Sequence, residues 1–236
     1  MSSKAFWAGA AVTACVPAAV LAASLHVAPV TVQMASGQSA AVLTLRNQGD
    51  KPLQAQVRVF SWSQKEGQDS LQPTQSVVAS PPMIEVAAQG SQTIRLVRTA
   101  KAAVAREESY RVLVDEITDP SAQSANGVNL QLRYSVPVFV SPAGVKPARM
   151  TVTTSADGQA LMFKAQNAGG QHAQVSAVTL VNAGGDALVV EAGLVGYVLV
   201  GQTMQWRLNI PSDAAAKGPF VGLRCRINGE PFSTQL

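Results

Sequence analysis

The side chains that could bind a metal or act as nucleophiles are few and widely separated. The two histidines, His26 and His172, lie in stretches of alternating apolar and polar residues, and neither has Cys, Asp or Glu nearby at ligand spacing. A zinc site needs three or four such ligands. Cys225 has no neighbouring base in sequence that would lower the pKa of its thiol, as a reactive cysteine requires. We therefore predict no metal, no cofactor, no catalytic residue and a chain that is not an enzyme.

The N-terminus has the composition of an export signal. Lys4 is followed by the uncharged run 5–23, which is rich in Ala and Val and ends in small residues. A basic start, a short apolar stretch and small residues at its end are typical of a cleaved signal peptide. Cleavage after Ala22 or Ala23 fits this pattern. A loose resemblance to a lipoprotein cleavage site at Cys15 is the alternative. We expect an exported protein that is not embedded in the membrane.

Without the signal, the chain is weakly charged and cannot form an internal disulfide. The formal charge falls from +4 to +3 when Lys4 is removed. This charge is small and scattered, whereas nucleic-acid binding needs a basic patch. Cys15 leaves with the signal, so Cys225 has no partner within the chain. Hydrophobic cores must then stabilise the protein in an oxidising compartment, and no nucleic-acid partner is expected.

Most of the remaining chain alternates apolar and polar residues, as half-buried strands do. The segment 54–62, for example, has apolar residues at 55, 57 and 59. Gly, Pro and Asn separate such segments, which favours immunoglobulin-like sandwiches. Pro142 and Pro147 flank a segment that cannot continue a central strand, because proline lacks the N–H group. The predicted fold is all-β, with two immunoglobulin-like β-sandwich domains joined at an angle. We predict a signal peptide (1–23), an N-terminal domain (24–142), a connection (143–147) and a C-terminal domain (148–236).

One alternating segment is unusually long. Every even position from 128 to 140 is apolar, and at about 3.3 Å per residue an extended run of this length spans about 40 Å. One interpretation is that it is the last strand of the first domain, with its whole apolar face buried there. The other is that its first half, 128–132, presents an apolar row at an exposed sheet edge. Such an edge readily pairs with another chain.

Four segments of the chain, 24–25, 80–82, 107–117 and 130–139, carry a set of recognisable patterns. They include Tyr-Arg, Val-Asp-Glu and Arg-Tyr-Ser-x-Pro. In these segments the chain resembles the periplasmic pilus chaperones of the chaperone–usher pathway, and the similarity is greater to the archaic branch, whose members share these patterns.

This resemblance implies a periplasmic chaperone that completes an unfinished pilus subunit with its own edge strand and delivers it to an outer-membrane usher. The expected partners are therefore pilus subunits and the usher. Val128, Leu130 and Leu132 are the implied donor side chains. Burial of each is worth about 1.5–3 kcal/mol.

The resemblance also implies a basic anchor for the C-terminal carboxylate of the subunit. The basic residues of conventional members fall at Pro29 and Pro137, which cannot bind a carboxylate. In the archaic branch the role shifts to the neighbouring strand, which points to Arg111, with Arg133 as a candidate partner. Arginine suits this task because it binds a carboxylate through two parallel hydrogen bonds. The arginine of the conventional interdomain ion network falls at Ser141, so that network has no predicted equivalent.

Each anchor has an alternative explanation. Arg111 could form a surface ion pair with one of three nearby acidic residues, Glu107, Glu108 or Asp115. Arg133 could be an ordinary solvated position on the polar face of its strand.

The alternative function is an exported structural or adhesive surface protein with two immunoglobulin-like domains, and a β-sandwich enzyme ranks third. A pilus subunit would lack its own final strand and carry a donor extension at its N-terminus. Here the expected mature chain passes directly into the alternating segment that starts at Leu25. The first domain also has a full set of predicted strands. Both features favour the donor of a strand over the recipient.

Overall fold

The computed structural model describes residues 25–100, 102–117, 131–157, 160–212, 214 and 219–236. Within them, seventeen β-strands form four sheets. The strands before residue 142 are β1 (Leu25–Ala28), β2 (Val32–Ala35), β3 (Ala40–Asn47), β4 (Leu53–Lys65), β5 (Gln68–Pro73), β6 (Val77–Ser80), β7 (Met83–Val86), β8 (Ser91–Arg98), β9 (Glu108–Ile117) and β10 (Arg133–Ser141). The strands after it are β11 (Met150–Asp157), β12 (Ala160–Asn167), β13 (Ala173–Asn182), β14 (Ala187–Val198), β15 (Thr203–Asn209), β16 (Phe220–Ile227) and β17 (Glu230–Gln235).

The first ten strands form a sandwich of two sheets. One sheet has the order β1-β3-β8-β6, and the other has the order β2-β10-β9-β4-β5, with β7 also paired to β4. The period-two pattern is the reason, because alternate residues of each strand face the space between the sheets. In β9, for instance, Tyr110, Val112 and Val114 are buried in this core. The residues that alternate with them, including Arg111 and Asp115, therefore lie on the outer face of the sheet.

The last seven strands form a second sandwich from the sheets β11-β12-β15 and β14-β13-β16-β17. Phe163, Val175 and Leu223 are among the buried residues of its core. Its final hairpin turns at Asn228 and Gly229, which have φ angles of 52° and 85°. Two positive φ angles are what a type I′ turn requires, and an Asn-Gly pair favours this turn. The segment 142–149, which contains the predicted connection, is free of strands.

The N-terminal segment crosses from one sheet of the first sandwich to the other. β1 pairs with β3, whereas β2 pairs in parallel with β10 from Val138 to Ser141. On its other side, β10 pairs with β9 over Arg133 to Val140. The residues from Arg133 to Pro137 therefore have a strand neighbour on one side only within the described part of the chain. We call this stretch the open edge.

Candidate functional site

The open edge presents apolar side chains in alternation. Val136 is buried in the first core, and Leu132 and Tyr134 pack against that core while remaining partly exposed. Leu132 therefore fits both interpretations of the long alternating segment. Part of its side chain is buried in its own domain, and part is exposed and accessible to another chain. Val128 and Leu130, the other two predicted donor residues, lie outside the described residues.

Tyr134 closes part of the gap between the two sheets at this edge. Its hydroxyl donates a hydrogen bond to the backbone carbonyl of Leu25 in β1, across the sandwich. Burial raises the pKa of Tyr134, and the negative charge of Glu116 raises it further. The hydroxyl therefore keeps the proton that it donates.

Arg111 lies at the other end of the open edge, on the outer face of the same sheet. In the strand register it stands between Phe60 of β4 and Pro137 of β10. Its guanidinium lies 3.7 Å from the ring centroid of Trp62 and 5.2 Å from that of Tyr197. Tyr197 belongs to the second domain, so Arg111 lines the cleft between the domains.

The guanidinium of Arg111 is desolvated but has free donors. Burial lowers its pKa, and the negative charge of Asp69 opposes that shift. Arginine nevertheless stays charged at neutral pH, with five N–H donors. No hydrogen bond or ion pair to another described residue engages these donors. A half-buried cation with unused donors is a suitable site for a carboxylate.

Among the described residues, Arg111 forms none of the alternative ion pairs. Its three candidate partners are engaged by other residues: Glu107 by His172, Glu108 by Tyr110 and Arg98, and Asp115 by Arg58 and Arg133.

Arg133 forms an ion pair with Asp115, which also accepts a 2.6 Å hydrogen bond from Arg58. The side chain of Arg133 is 64% exposed. It faces Asp115 in the register, whereas Pro137 faces Arg111. The two arginines are thus four residues apart along the strands, about 13 Å at a rise of about 3.3 Å per residue. The structure does not bring them together, and a shared carboxylate stays a prediction.

Glu107 forms a buried contact between the domains that sequence reasoning missed. Its fully buried carboxylate accepts hydrogen bonds from the backbone N–H of His172 (2.6 Å) and the hydroxyl of Ser141 (2.9 Å). It also lies 3.0 Å from Nδ1 of His172. The imidazole stacks on Phe139 with a centroid distance of 3.4 Å. The available signal was Ser141, the position of the conventional network arginine.

A second interdomain contact uses a side chain in place of a strand. Gln64 donates to the carbonyl of Tyr197 (2.9 Å) and accepts from the N–H of Leu199 (2.8 Å), as a backbone neighbour would. Asp69 accepts hydrogen bonds of 2.9 Å from Trp62 and from Gln64. Trp62, Phe139, Tyr197 and Leu199 form a separate buried cluster. These contacts fix the floor of the cleft beneath Arg111.

The groups first considered for metal or nucleophilic chemistry have structural roles. Among the described residues, no three His, Cys, Asp or Glu side chains are grouped to bind a metal. Cys225 is buried in β16, and burial raises the pKa of its thiol to about 11. His172 belongs to the interdomain contact. The described residues also contain no helix that is long and apolar enough to span a membrane.

Comparison with known proteins identifies the family. Residues 24–146 match the model described as pili and flagellar-assembly chaperone, PapD N-terminal domain. The match spans more than half of the 236 residues, so the chain belongs to this family. It is a periplasmic pilus-assembly chaperone and not an enzyme, which confirms the predicted family and class.

Several solved structures share the fold over nearly the whole chain. A chain of the CsuC–CsuE chaperone–tip adhesion subunit complex, from archaic Csu pili of Acinetobacter baumannii, has a TM-score of 0.67 and 20% identity, with 90% of this chain and 98% of that chain covered. The Salmonella enterica SafA pilin–SafB chaperone complex gives a TM-score of 0.63, 20% identity and coverage of 92% and 99%. The Pseudomonas aeruginosa CupB2 chaperone gives a TM-score of 0.58 and 14% identity, with 89% of this chain and 98% of that chain covered. These likenesses confirm the predicted two-domain immunoglobulin-like fold. No curated protein matches this chain.

Proposed function

We propose that this chaperone captures a pilus subunit by adding the open edge of β10 to the subunit's incomplete sheet and then delivers the subunit to an outer-membrane usher. The single observation that carries the proposal is that, among the described residues, β10 has a strand neighbour on one side only between Arg133 and Pro137. Unpaired N–H and C=O groups along a strand readily pair with another chain.

The side chains of the open edge and of the residues directly before it suit the role. Tyr134 and Leu132 are partly exposed, and the alternation of apolar residues continues in the sequence through Leu130 and Val128. In a complex, alternate side chains would enter the groove of the subunit while backbone hydrogen bonds join the two sheets. Val128, Leu130 and Leu132 are the proposed donors.

Arg111 is the proposed anchor for the C-terminal carboxylate of the subunit. It lies beside Pro137, at the end of the open edge, and its donors are unused among the described residues. A carboxylate held there would fix the register, because its position decides which donor side chain meets which pocket. Arg133 remains a second candidate for this contact.

The carboxylates of the cleft do not compete with such a ligand. Glu107 is saturated by three contacts, and Asp69 accepts hydrogen bonds from two neighbours. The oxygens of these two carboxylates are thus already engaged, whereas no hydrogen bond or ion pair from another described residue engages the donors of Arg111.

The proposal is tested by co-expressing the tagged chaperone with its pilus subunit and measuring the subunit that co-purifies. Leu130→Asp with Leu132→Asp should leave a folded chaperone and abolish recovery. The matched control is Val42→Asp, which places the same carboxylate at an apolar strand position, 51% exposed, in the other sheet. Normal recovery with the double variant would remove the donor assignment.

The structural or adhesive alternative makes the opposite prediction. A surface protein would appear on the cell exterior and would not depend on the open edge for its partner. Fractionation of cells that express the tagged chain separates the two, because a chaperone remains in the periplasm.

A further inference from the structure

Arg133 and the two residues before it are attached to the sheet by more contacts than strand pairing requires. Leu132 accepts a backbone hydrogen bond of 3.0 Å from Glu116, and the side-chain amide of Gln131 donates to the carbonyl of Glu116 at 2.6 Å. One residue further, Arg133 binds the carboxylate of Asp115. These contacts are thus concentrated where β10 begins.

Asp115 connects three adjacent strands. It lies on β9, receives Arg133 from the edge strand β10 and receives Arg58 from β4 on its other side. The side chain of Asp115 is only 12% exposed, although both arginines are substantially exposed. Arg58 is itself supported by Phe60, whose ring centroid lies 5.7 Å from the guanidinium carbon. The edge strand is therefore tied laterally to the centre of its sheet.

A purely stabilising role does not account for this arrangement. Ion pairs with an exposed partner contribute little to the free energy of unfolding. Two arginines on one carboxylate also leave one positive charge in excess. What the network does restrict is the orientation of β10 at the point where 128–131 join it.

We propose that Asp115, with Arg58 and Arg133, forms a clamp. The clamp holds residues 131–133, which we call the base of the donor segment, in an extended, pre-organised position for strand addition. This inference rests on the proposed function. Val128 and Leu130 lie five and three residues before Arg133, so a base that frays would misplace both. Pre-organisation improves binding because less conformational entropy is lost when the partner is added.

The role differs from carboxylate binding, and the two can be separated. A clamp residue acts on strand position and is indifferent to the subunit's C-terminus, whereas an anchor acts through that carboxylate. The experiment therefore uses two probes: the natural pilus subunit, and the same subunit with a three-residue C-terminal extension that displaces the carboxylate.

The measurement is the rate at which the subunit leaves a tagged chaperone when an excess of untagged wild-type chaperone is added. Arg133→Ala and Arg58→Ala should each accelerate release by about tenfold, with the natural and the extended subunit alike. Arg58→Ala is informative because the one ion pair of Arg58 among the described residues is with Asp115, and Arg58 is not a candidate anchor. Glu66→Gln, which neutralises one carboxylate of an exposed ion pair at the β4–β5 turn, is the matched control and should not change the rate.

Three results would overturn the clamp. One is release from Arg133→Ala and Arg58→Ala at the rate of the Glu66→Gln control. Another is an Arg133→Ala effect that disappears with the extended subunit, which would make Arg133 an anchor. The third is a loss of stability in urea denaturation with unchanged release, which would make the network structural.

Failure of the clamp is distinguishable from failure of the proposed function. If the wild-type chaperone retains the subunit and Leu130→Asp with Leu132→Asp does not, strand addition stands whatever the arginine variants do. If the wild type forms no complex, or the double aspartate variant retains the subunit normally, the proposed function itself fails.

Discussion

The two halves of β10 have the same sequence pattern and different surroundings. From Val138 to Val140 the strand is paired on both sides, and these three residues are fully buried. From Arg133 to Pro137 it is paired on one side only among the described residues, and Tyr134 is partly exposed. Alternation of apolar residues therefore determines which face of a strand is buried, whereas the end of the neighbouring strand determines which edge is open. In this chain the boundary is set where β2 begins.

The largest expected difference between the halves concerns folding. Val138→Asp would bury an unpaired carboxylate in the first core and should prevent the domain from folding, because such burial costs more than about 4 kcal/mol. Leu132→Asp should lower the free energy of unfolding by at most about 2 kcal/mol, since the side chain is already partly exposed. Urea denaturation followed by circular dichroism measures both. Equal destabilisation by the two substitutions would mean that Leu132, directly before the open edge, belongs to the core.

The second difference concerns capture at the junction of the halves. Arg111→Ala should weaken subunit binding by about 2 kcal/mol, roughly 30-fold, because the carboxylate of the subunit loses a charge-assisted partner. Arg111→Lys keeps the charge without the paired donors and should recover part of the loss. Titration of the subunit against each variant gives the affinities. Wild-type affinity of Arg111→Ala, or a variant that unfolds, would contradict the anchor.

The half of β10 that is paired on both sides lies next to the contact with the second domain, and we expect this contact to contribute to the free energy of unfolding. Glu107→Gln replaces a buried acceptor with an amide that presents N–H groups to donors, and should lower the free energy of unfolding by about 1–3 kcal/mol. Thermal denaturation followed by tryptophan fluorescence reports the change, since Trp62 lies in the interface. Glu66→Gln is the control at an exposed position. An unchanged melting temperature would show that this contact does not join the domains energetically.

The smallest expected effect is the pH dependence of the stability that Asp115 contributes beside the open edge. Burial raises the pKa of Asp115, but the hydrogen bonds and charges of Arg133 and Arg58 outweigh this, and the net pKa is lowered. A carboxylate with a lowered folded-state pKa stabilises the fold above its unfolded pKa of about 3.9, and this contribution is lost as the pH falls through the folded-state value. The destabilisation caused by Asp115→Asn should therefore be constant between about pH 5 and 8 and shrink below about pH 4. Urea denaturation across this range measures it, and a difference that changes between pH 6 and 8 would contradict the assignment.

Much of the fold could be predicted from sequence because strand faces are a local property. The alternation at 54–62 marks β4, and Asn228 and Gly229 mark the last hairpin. The side on which β10 lacks a neighbour could not be predicted, because it depends on the crossing of the N-terminal segment between sheets. Strand pairing of that kind brings together residues more than 100 positions apart in sequence, such as Val32 and Val138.

The role of Arg111 as an anchor stays a prediction. Its position in the cleft is compatible with that role, but the aromatic support from Trp62 and Tyr197 depends on the packing of two domains and could not be predicted. The contact between Glu107 and His172 was missed for the same reason. Asp115 was considered only as a possible partner of Arg111, and its position between Arg58 and Arg133 follows from three-strand register that no local pattern encodes.

The central claim is that another strand occupies the open edge. Amide hydrogen exchange of the free and subunit-bound chaperone, resolved by residue, tests it most directly. The account predicts that amides of 133–136 that are not bonded to β9 exchange rapidly in the free protein and become protected in the complex, while those of 138–140 are protected in both. Unchanged exchange across 133–136 when the subunit binds would contradict the account.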